Sequence, residues 1–272
     1  MREVILNRLA GAARSRLART LAARPLSVLR SEAEALAREE CARDGTFQFA
    51  FEQAVHAPGL SVIAELKRAS PSKGLIAAEF PILEIAAEYE AGGANALSVL
   101  TEPTEFLGSD AYLSAVSAAT HLPTLRKDFT VHEAMIYEAK LLGAKAVLLI
   151  MGLLSNAAAA EYLALAHSLG LSALVEAHGQ DELERALSIP GIRLVGVNNR
   201  NLNTFEVDFS MAARLRALVP AEVAFVAESG IRSAQDAALA RSFGADAVLV
   251  GEALMRATDR AALIAALKGA ER

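Results

Sequence analysis

From residue 61 onward, the chain alternates between short apolar runs and longer segments with helical periodicity. Eight runs of aliphatic and β-branched residues recur at intervals of about 21 to 34 residues: 61–66, 95–100, 123–126, 145–151, 172–176, 193–197, 223–227 and 245–250. Most of these runs are continuous rather than alternating, which is typical of parallel strands covered on both faces. The pattern therefore predicts eight strand–helix units.

The number of units favours one architecture over the other common parallel fold. Eight such units in a chain of this length indicate a closed (β/α)8 TIM barrel of the α/β class, rather than an open doubly wound sheet. An open sheet usually carries a Gly-x-Gly-x-x-Gly loop after its first strand, and the sequence contains none there. Two helical stretches, 2–22 and 28–43, precede the strands. We predict an N-terminal helical extension over residues 1–55 and a single barrel over 56–272.

Composition narrows the functional class. The chain has 272 residues, 53% of them hydrophobic, which excludes a disordered protein, and its single cysteine, Cys41, excludes an internal disulfide framework. A net charge of -5 and the absence of Trp argue against a nucleic-acid partner. The longest apolar run, 146–154, is too short to span a bilayer, so no membrane partner is expected. We expect a cytoplasmic monomer or homodimer.

The first 24 residues are rich in Arg and leave a second interpretation open. Their leucines follow a helical stripe, which suits a helix packed on the barrel, and this is the interpretation we favour. An organelle transit peptide has a similar Arg content, although the Ser-rich half of that signature is missing.

Ionisable residues end several of the predicted strands. The carboxyl ends of the strands form the active face of such barrels. Charged side chains at the end of apolar strands are costly unless they are paired or used, so their convergence predicts acid–base chemistry. The candidates are the ionisable residues Glu65, Lys67, Lys127, Glu176 and Glu228, together with the amide Asn198.

Glycine-containing turns after the last two strands predict a phosphate site. Ser229 and Gly230 follow the seventh strand, and Gly251 and Glu252 follow the eighth. These two loops commonly hold a phosphate through backbone N–H groups, and Glu252 could contribute only its backbone. Arg200, after the sixth strand, could add a charged contact. We expect a small phosphorylated substrate.

Other chemistry finds little support. The five histidines show no ligand spacing, so no metal is expected, and we interpret them as surface or helix-face residues: His56, His121, His132, His167 and His178. No Gly-x-Ser-x-Gly elbow is present for a serine hydrolase. The turn-rich segment 70–74, which begins with Ser70, suits a loop that folds over an anionic ligand.

Several motifs resemble the indole-3-glycerol phosphate synthase family. The most specific is IAELKRASPSKG at 63–74. The others, in the same order along the chain, are SVLTE at 98–102, LRKDF at 125–129, LVE at 174–176, GVNNRNL at 196–202, AESGI at 227–231 and LVGE at 249–252. Leu66 and Val197 stand where isoleucine is more usual, which puts no catalytic residue in doubt.

The resemblance implies a step of tryptophan biosynthesis that needs no metal or organic cofactor. The substrate would be 1-(2-carboxyphenylamino)-1-deoxyribulose 5-phosphate, which closes to an indole ring with loss of carbon dioxide and water. Lys127 would be the principal general acid, Lys67 would hold the substrate carboxylate, and Glu176 would handle a ring-closing or dehydration proton. Which lysine acts at which step stays open. The remaining family positions would contact the substrate hydroxyls or its ring: Glu65, Asn198, Glu228, Ser229, Ser70, Phe106, Phe129, Leu148 and Leu202.

Two alternatives compete with this interpretation. Phosphoribosylanthranilate isomerase has similar phosphate loops, but it would need a Cys–Asp pair at the strand ends, and Cys41 lies outside the predicted barrel. A barrel that binds a phosphorylated metabolite without catalysis would be expected to lack Lys127 or Glu176, and both are present.

Overall fold

A computed structural model describes residues 2–200 and 208–269 of the chain. Within them, eight parallel strands close into a barrel in chain order, and the eighth strand pairs with the first. The strands are β1 Ser61–Leu66, β2 Ala96–Leu100, β3 Thr124–Lys127, β4 Ala146–Ile150, β5 Ser172–Ala177, β6 Leu194–Asn198, β7 Ala224–Glu228 and β8 Ala247–Val250. All eight predicted strands are found, each within two residues of its predicted bounds, and the predicted fold is confirmed.

Helices separate the strands and also precede the first one. They are α1 Arg2–Ala23, α2 Leu26–Asp44, α3 Ala50–Val55, α4 Ile82–Ala91, α5 Asp110–Ala119, α6 Glu133–Leu141, α7 Asn156–Ser168, α8 Gln180–Leu187, α9 Phe209–Arg216, α10 Ala234–Ser242, α11 Glu252–Arg256 and α12 Arg260–Lys268. Serine caps start several of them; the Ser155 hydroxyl, for example, accepts the backbone N–H of Ala158. None of these described helices is both long and apolar enough to cross a bilayer.

The interior of the barrel is filled by every second residue of the strands. Ile63 of β1, Leu125 of β3 and Leu174 of β5 meet in one buried cluster, while the alternate residues pack outward against the helices. Side chains on a strand alternate between the two faces of the sheet. The residues two positions after these core residues therefore lie on the same inner face, closer to the carboxyl end of the barrel.

The short helix α3 closes the opposite end. Phe51 and Val55, both almost fully buried, join the same inner cluster as the strand residues. Their burial seals the amino-terminal end of the barrel with apolar side chains. The interior is consequently a packed core, and a ligand can enter only from the carboxyl end.

The first two helices pack on the outside of the barrel at different places. On α2, Glu40 contacts the buried ammonium group of Lys140 on α6 at 2.6 Å. On α1, the Arg16 guanidinium lies 2.5 Å from the carboxylate of Asp128, just after β3. The division of the chain into an extension, 1–55, and a barrel, 56–272, stays a prediction.

Candidate active site

A single cavity at the carboxyl ends of the strands is lined by nearly all of the predicted site residues. Leu202 is the exception, because it lies outside the described residues. The predicted residues that line the cavity are Glu65, Lys67, Ser70, Phe106, Lys127, Phe129, Leu148, Glu176, Asn198, Arg200, Glu228, Ser229, Gly230, Gly251 and Glu252. The sequence pattern thus identified residues that are distant along the chain and adjacent in space.

The pleat of the strands decides which charged residues reach this cavity. Lys127 comes two residues after Leu125 and shares its inward face. Arg126, between them, points outward, where it donates to the carbonyl oxygen of Met135 at 2.8 Å and pairs with Asp110. Two neighbouring cations therefore have unrelated environments, and only Lys127 faces the cavity.

Lys127 lies between two buried carboxylates. Its Nζ is 2.9 Å from Oε2 of Glu176 and 3.6 Å from Oε2 of Glu228. Burial disfavours the charge on Lys127, but the two carboxylates outweigh that effect and raise its pKa above the ordinary value. Burial also opposes the charge on Glu176, yet Lys127 and His178 hold the pKa of Glu176 well below its usual range. Lys127 and Glu176 form an ion pair at neutral pH.

Glu228 is in a different state from Glu176. Burial and the neighbouring Glu176 charge raise the pKa of Glu228 to about 8, so this side chain is mostly protonated at neutral pH. Its Oε1 lies against Gly196 of β6, where a Cβ atom would come within 2.0 Å of that oxygen. No hydrogen-bond partner for this Oε1 is found within 2–200 and 208–269. Gly196 therefore provides the space that the Glu228 carboxyl group occupies.

Lys67 and Glu65 form a second ion pair at the end of β1. Glu65 also accepts the hydroxyl of Ser98, on the adjacent strand β2, at 3.4 Å. Gly251 lies directly beside the pair, because a Cβ atom there would come within 2.5 Å of a Glu65 oxygen and 2.9 Å of the Lys67 nitrogen. The start of α11 can therefore approach the pair only with glycine at this position.

Asn198 is fixed from both sides. Its amide nitrogen donates to Oε1 of Glu176 at 3.3 Å, and its side-chain oxygen accepts the backbone N–H of Arg200 at 3.1 Å. These two contacts also settle which end of the amide faces Glu176. Arg200 is half-buried, and this burial lowers the pKa of its guanidinium.

Aromatic and aliphatic side chains form the other wall of the cavity. The rings of Phe106 and Phe129 lie 6.2 Å apart at a tilted angle. Ile5 and Leu9 of α1 also line the cavity, together with Leu6. The sequence predicts helix α1 but not its position over the site, because its leucines show only that one face is buried.

Two buried carboxylates shape the loops that carry these rings. Glu102 accepts the backbone N–H groups of Glu105 at 2.8 Å and Phe106 at 3.1 Å, which fixes the turn after β2. Asp128 accepts the N–H of Phe129 at 2.8 Å and the hydroxyl of Thr101 at 2.6 Å. Both carboxylates accept backbone N–H groups of these loops, and neither residue was predicted as a site residue.

The chain closely resembles known sequences over nearly its whole length. The family model for indole-3-glycerol phosphate synthase matches residues 7–267. The chain belongs to the indole-3-glycerol phosphate synthase family. The family member from Ruminiclostridium cellulolyticum is 50% identical over 266 residues, which cover 98% of this chain and 99% of the relative. The one from Aromatoleum aromaticum is 47% identical over 255 residues, covering 94% and 95% of the two chains.

Solved structures of more distant proteins share the fold. A thiamine phosphate pyrophosphorylase from Pyrococcus furiosus aligns with a TM-score of 0.59 at 17% identity, covering 78% of this chain and 95% of that one. A (S)-3-O-geranylgeranylglyceryl phosphate synthase from Thermoplasma acidophilum aligns with a TM-score of 0.56 at 14% identity, covering 83% and 98%. At this identity the likeness concerns the barrel alone.

The interpretation of one histidine made from the sequence is wrong. His178 is not a surface or helix-face residue, because its side chain is only 4% exposed and lines the cavity. It follows β5 directly, and its ring turns back toward Glu176 on that strand.

No group of three or more His, Cys, Asp or Glu side chains among residues 2–200 and 208–269 could hold a metal ion.

The turn-rich segment after β1 is the turn of a short hairpin, in which Ala69–Ser70 and Gly74–Leu75 pair as two short antiparallel strands. Between them, the Lys73 ammonium lies 3.4 Å from the carboxylate of Glu252, at the start of α11. The hairpin therefore reaches across the cavity toward the predicted phosphate loops. That this segment folds over an anionic ligand stays a prediction.

Proposed function

We propose that this chain converts 1-(2-carboxyphenylamino)-1-deoxyribulose 5-phosphate into indole-3-glycerol phosphate. One bond forms between the ring carbon and the ribulose carbonyl carbon, and one carbon dioxide and one water leave. The observation that carries the proposal is the Lys127–Glu176 ion pair, 2.9 Å long and buried at the carboxyl end of a barrel of this family. It supplies an acid and a base at one point.

Lys127 is the principal general acid. It protonates the carbonyl oxygen of the ribulose chain as the ring carbon attacks, so the developing alkoxide is neutralised when it forms. Lys127 carries its proton at neutral pH, as a general acid must, and gives it up to the stronger base that forms beside it, the developing alkoxide. Glu176 is the partner that accepts a proton in ring closure or dehydration.

Lys67 holds the carboxylate of the substrate until carbon dioxide leaves. The side chains of Phe106, Phe129 and Leu148 present an apolar surface to the anthranilate ring. Much of the rate enhancement then comes from holding the ring carbon against the carbonyl group. The apolar side chains contact the ring end of the substrate and the charged groups contact its phosphate end, so the substrate binds in one orientation.

The hydroxyl groups of the substrate are bound by polar residues between those two ends. The surroundings of Glu228 fit this role. Its Oε1 is buried without a hydrogen-bond partner in the part of the chain described, and its raised pKa allows the carboxyl group to donate or accept a hydrogen bond. Glu65, Asn198, Ser229 and Ser70, which all lie in motifs that resemble those of the family, complete the set.

The phosphate lies at the turns after β7 and β8. The φ angles of Ser229 and Gly230 are +67° and +87°, which makes a tight turn directly after β7. The backbone of this turn and of Gly251 and Glu252 supplies N–H donors, and Arg200 supplies a positive charge. The phosphate end is thereby separated from Lys127.

The test is a direct assay of the purified full-length protein with this substrate and no added metal, following the fluorescence of the indole product. Lys127→Ala should lower kcat at least about a hundredfold, because a positioned acid is worth that much. Lys145→Ala is the matched control: Lys145 directly precedes β4, at the other end of the barrel, and should leave kcat unchanged. Absence of product with folded wild type would refute the proposed reaction, and equal kcat for Lys127→Ala would refute its role.

A further inference from the structure

His178 is the one buried imidazole that lines the cavity among the described residues, and the catalytic roles above leave it unassigned. Its Nε2 lies 3.1 Å from Oε1 of Glu176, and its Nδ1 lies 3.5 Å from Oε2 of Glu182. Glu182 is in the first turn of α8, and it also accepts the backbone N–H of His178 at 2.9 Å. Carboxylate oxygens thus lie beside both ring nitrogens, and Glu182 holds the backbone of His178 through the N–H.

The two oxygens of Glu176 have different partners. Oε2 faces Lys127 at 2.9 Å, whereas Oε1 faces the Asn198 amide at 3.3 Å and the His178 ring at 3.1 Å. A carboxylate with donors on both oxygens cannot rotate about its last bond without losing at least one of them. His178 supplies the shorter of the two contacts on the oxygen that does not face Lys127.

We propose that His178 is a positioning residue for the reaction: it holds the Glu176 carboxylate facing the Lys127 ammonium group while Lys127 transfers its proton. The inference rests on the proposed function, because it acts through the Lys127–Glu176 pair.

The reason lies in what happens when Lys127 gives up its proton. The positive charge that balanced Glu176 disappears at that moment, and Glu176 is buried. A buried carboxylate without donors would compete with the substrate for the same proton. His178, together with Asn198, keeps the ionised form of Glu176 stable, so Lys127 can deliver its proton to the substrate oxygen.

The test compares two amide substitutions of similar polarity. The amide nitrogen of Gln reaches the position of Nε2, and the amide nitrogen of Asn reaches that of Nδ1. His178→Gln should therefore keep the donor to Glu176 and retain kcat within about threefold of wild type. His178→Asn should lose the donor and lower kcat at least about tenfold, as expected for a hydrogen bond to a charged group, with KM within about threefold.

The control is His167→Asn, which should leave kcat unchanged. His167 is near the end of α7 and contacts Phe49, which precedes α3 and the amino-terminal end of the barrel. Thermal unfolding of each variant checks that it is folded.

The outcomes separate this inference from the proposed function. No product from folded wild type would refute both. If the wild type turns over, three results would overturn the role of His178 and leave the proposed function standing. They are an unimpaired His178→Asn variant, equal losses of kcat in the Gln and Asn variants, and a loss that appears in KM alone. The split between Gln and Asn with KM unchanged is the result that supports it.

Discussion

Gly196→Ala should disturb the proposed active site through Glu228, although Gly196 has no side chain of its own to contact the substrate. The added Cβ atom would come within 2.0 Å of Oε1 of Glu228 and 3.2 Å of Cδ1 of Leu174. Carbon and oxygen atoms that are not bonded stay more than 3 Å apart, so the Glu228 carboxyl group must move by about 1 Å. Its Oε2 now lies 3.6 Å from the Lys127 nitrogen, and that contact cannot survive unchanged.

The expected cost has two parts. Overpacking of a filled interior destabilises a protein by about 1–3 kcal/mol, because neighbouring side chains must leave their preferred conformations. A displacement of about 1 Å beside the reacting atoms can cost about a hundredfold in rate. Gly196→Ala should therefore lower the free energy of unfolding in urea by about 1–3 kcal/mol and kcat by about ten- to a hundredfold.

Two comparisons make this prediction sharp. Gly11→Ala is the matched control: Gly11 is inside α1, no atom would lie within 4 Å of its Cβ, and the change should leave kcat as it is and stability equal or slightly higher. In a Glu228→Ala background the obstructing carboxyl group is gone, so Gly196→Ala should cost little further stability. Equal costs in the two backgrounds would refute the reasoning, since the effect would then not pass through Glu228.

Three further predictions concern charge. The pKa of Glu228 is raised to about 8 from 4.5, so between these pH values the folded protein keeps a proton that the unfolded chain releases, and stability falls as the pH rises through that window. Glu228→Gln should flatten this fall when the free energy of unfolding in urea is measured against pH, and an unchanged slope would contradict the prediction. Arg16→Ala should cost about 1–3 kcal/mol, because it removes a donor from buried Asp128; loss of the exposed Arg19 is the control, and equal effects would count against it. Glu40→Ala should cost about 3 kcal/mol with unchanged kcat, because Lys140 stays buried without its partner, whereas Glu39→Ala should cost nothing measurable.

The strands were predictable because parallel strands in a barrel are covered on both sides. Each appears as a continuous apolar run, and its end is marked by the first charged residue that the cavity can accommodate, such as Lys127 or Glu176. The six-residue helix α3 was not predicted, since a segment of that length shows no period. Its role depends on Phe51 meeting strand residues far along the chain, such as Leu174.

Charged residues at the strand ends were easier to predict than the residues that hold them in place. A lysine at a strand end is unusual enough to be noticed alone, whereas a histidine after a strand is ordinary. His178 gains its importance only when the turn after β5 folds its ring back to Glu176 and α8 brings Glu182 behind it. The role of such a residue depends on its neighbours in space, which a single sequence does not identify.

Gly196 illustrates the same limit from the opposite direction. In the sequence it is one small residue in an apolar strand, where glycine usually weakens the sheet. What makes it necessary is a side chain on the adjacent strand, Glu228, whose carboxyl group fills the space that a Cβ atom would take. A carboxyl group at the end of one strand thus requires a residue without a side chain on the adjacent strand. The chemistry of this barrel is therefore specified as much by the residues that make room as by those that carry charge.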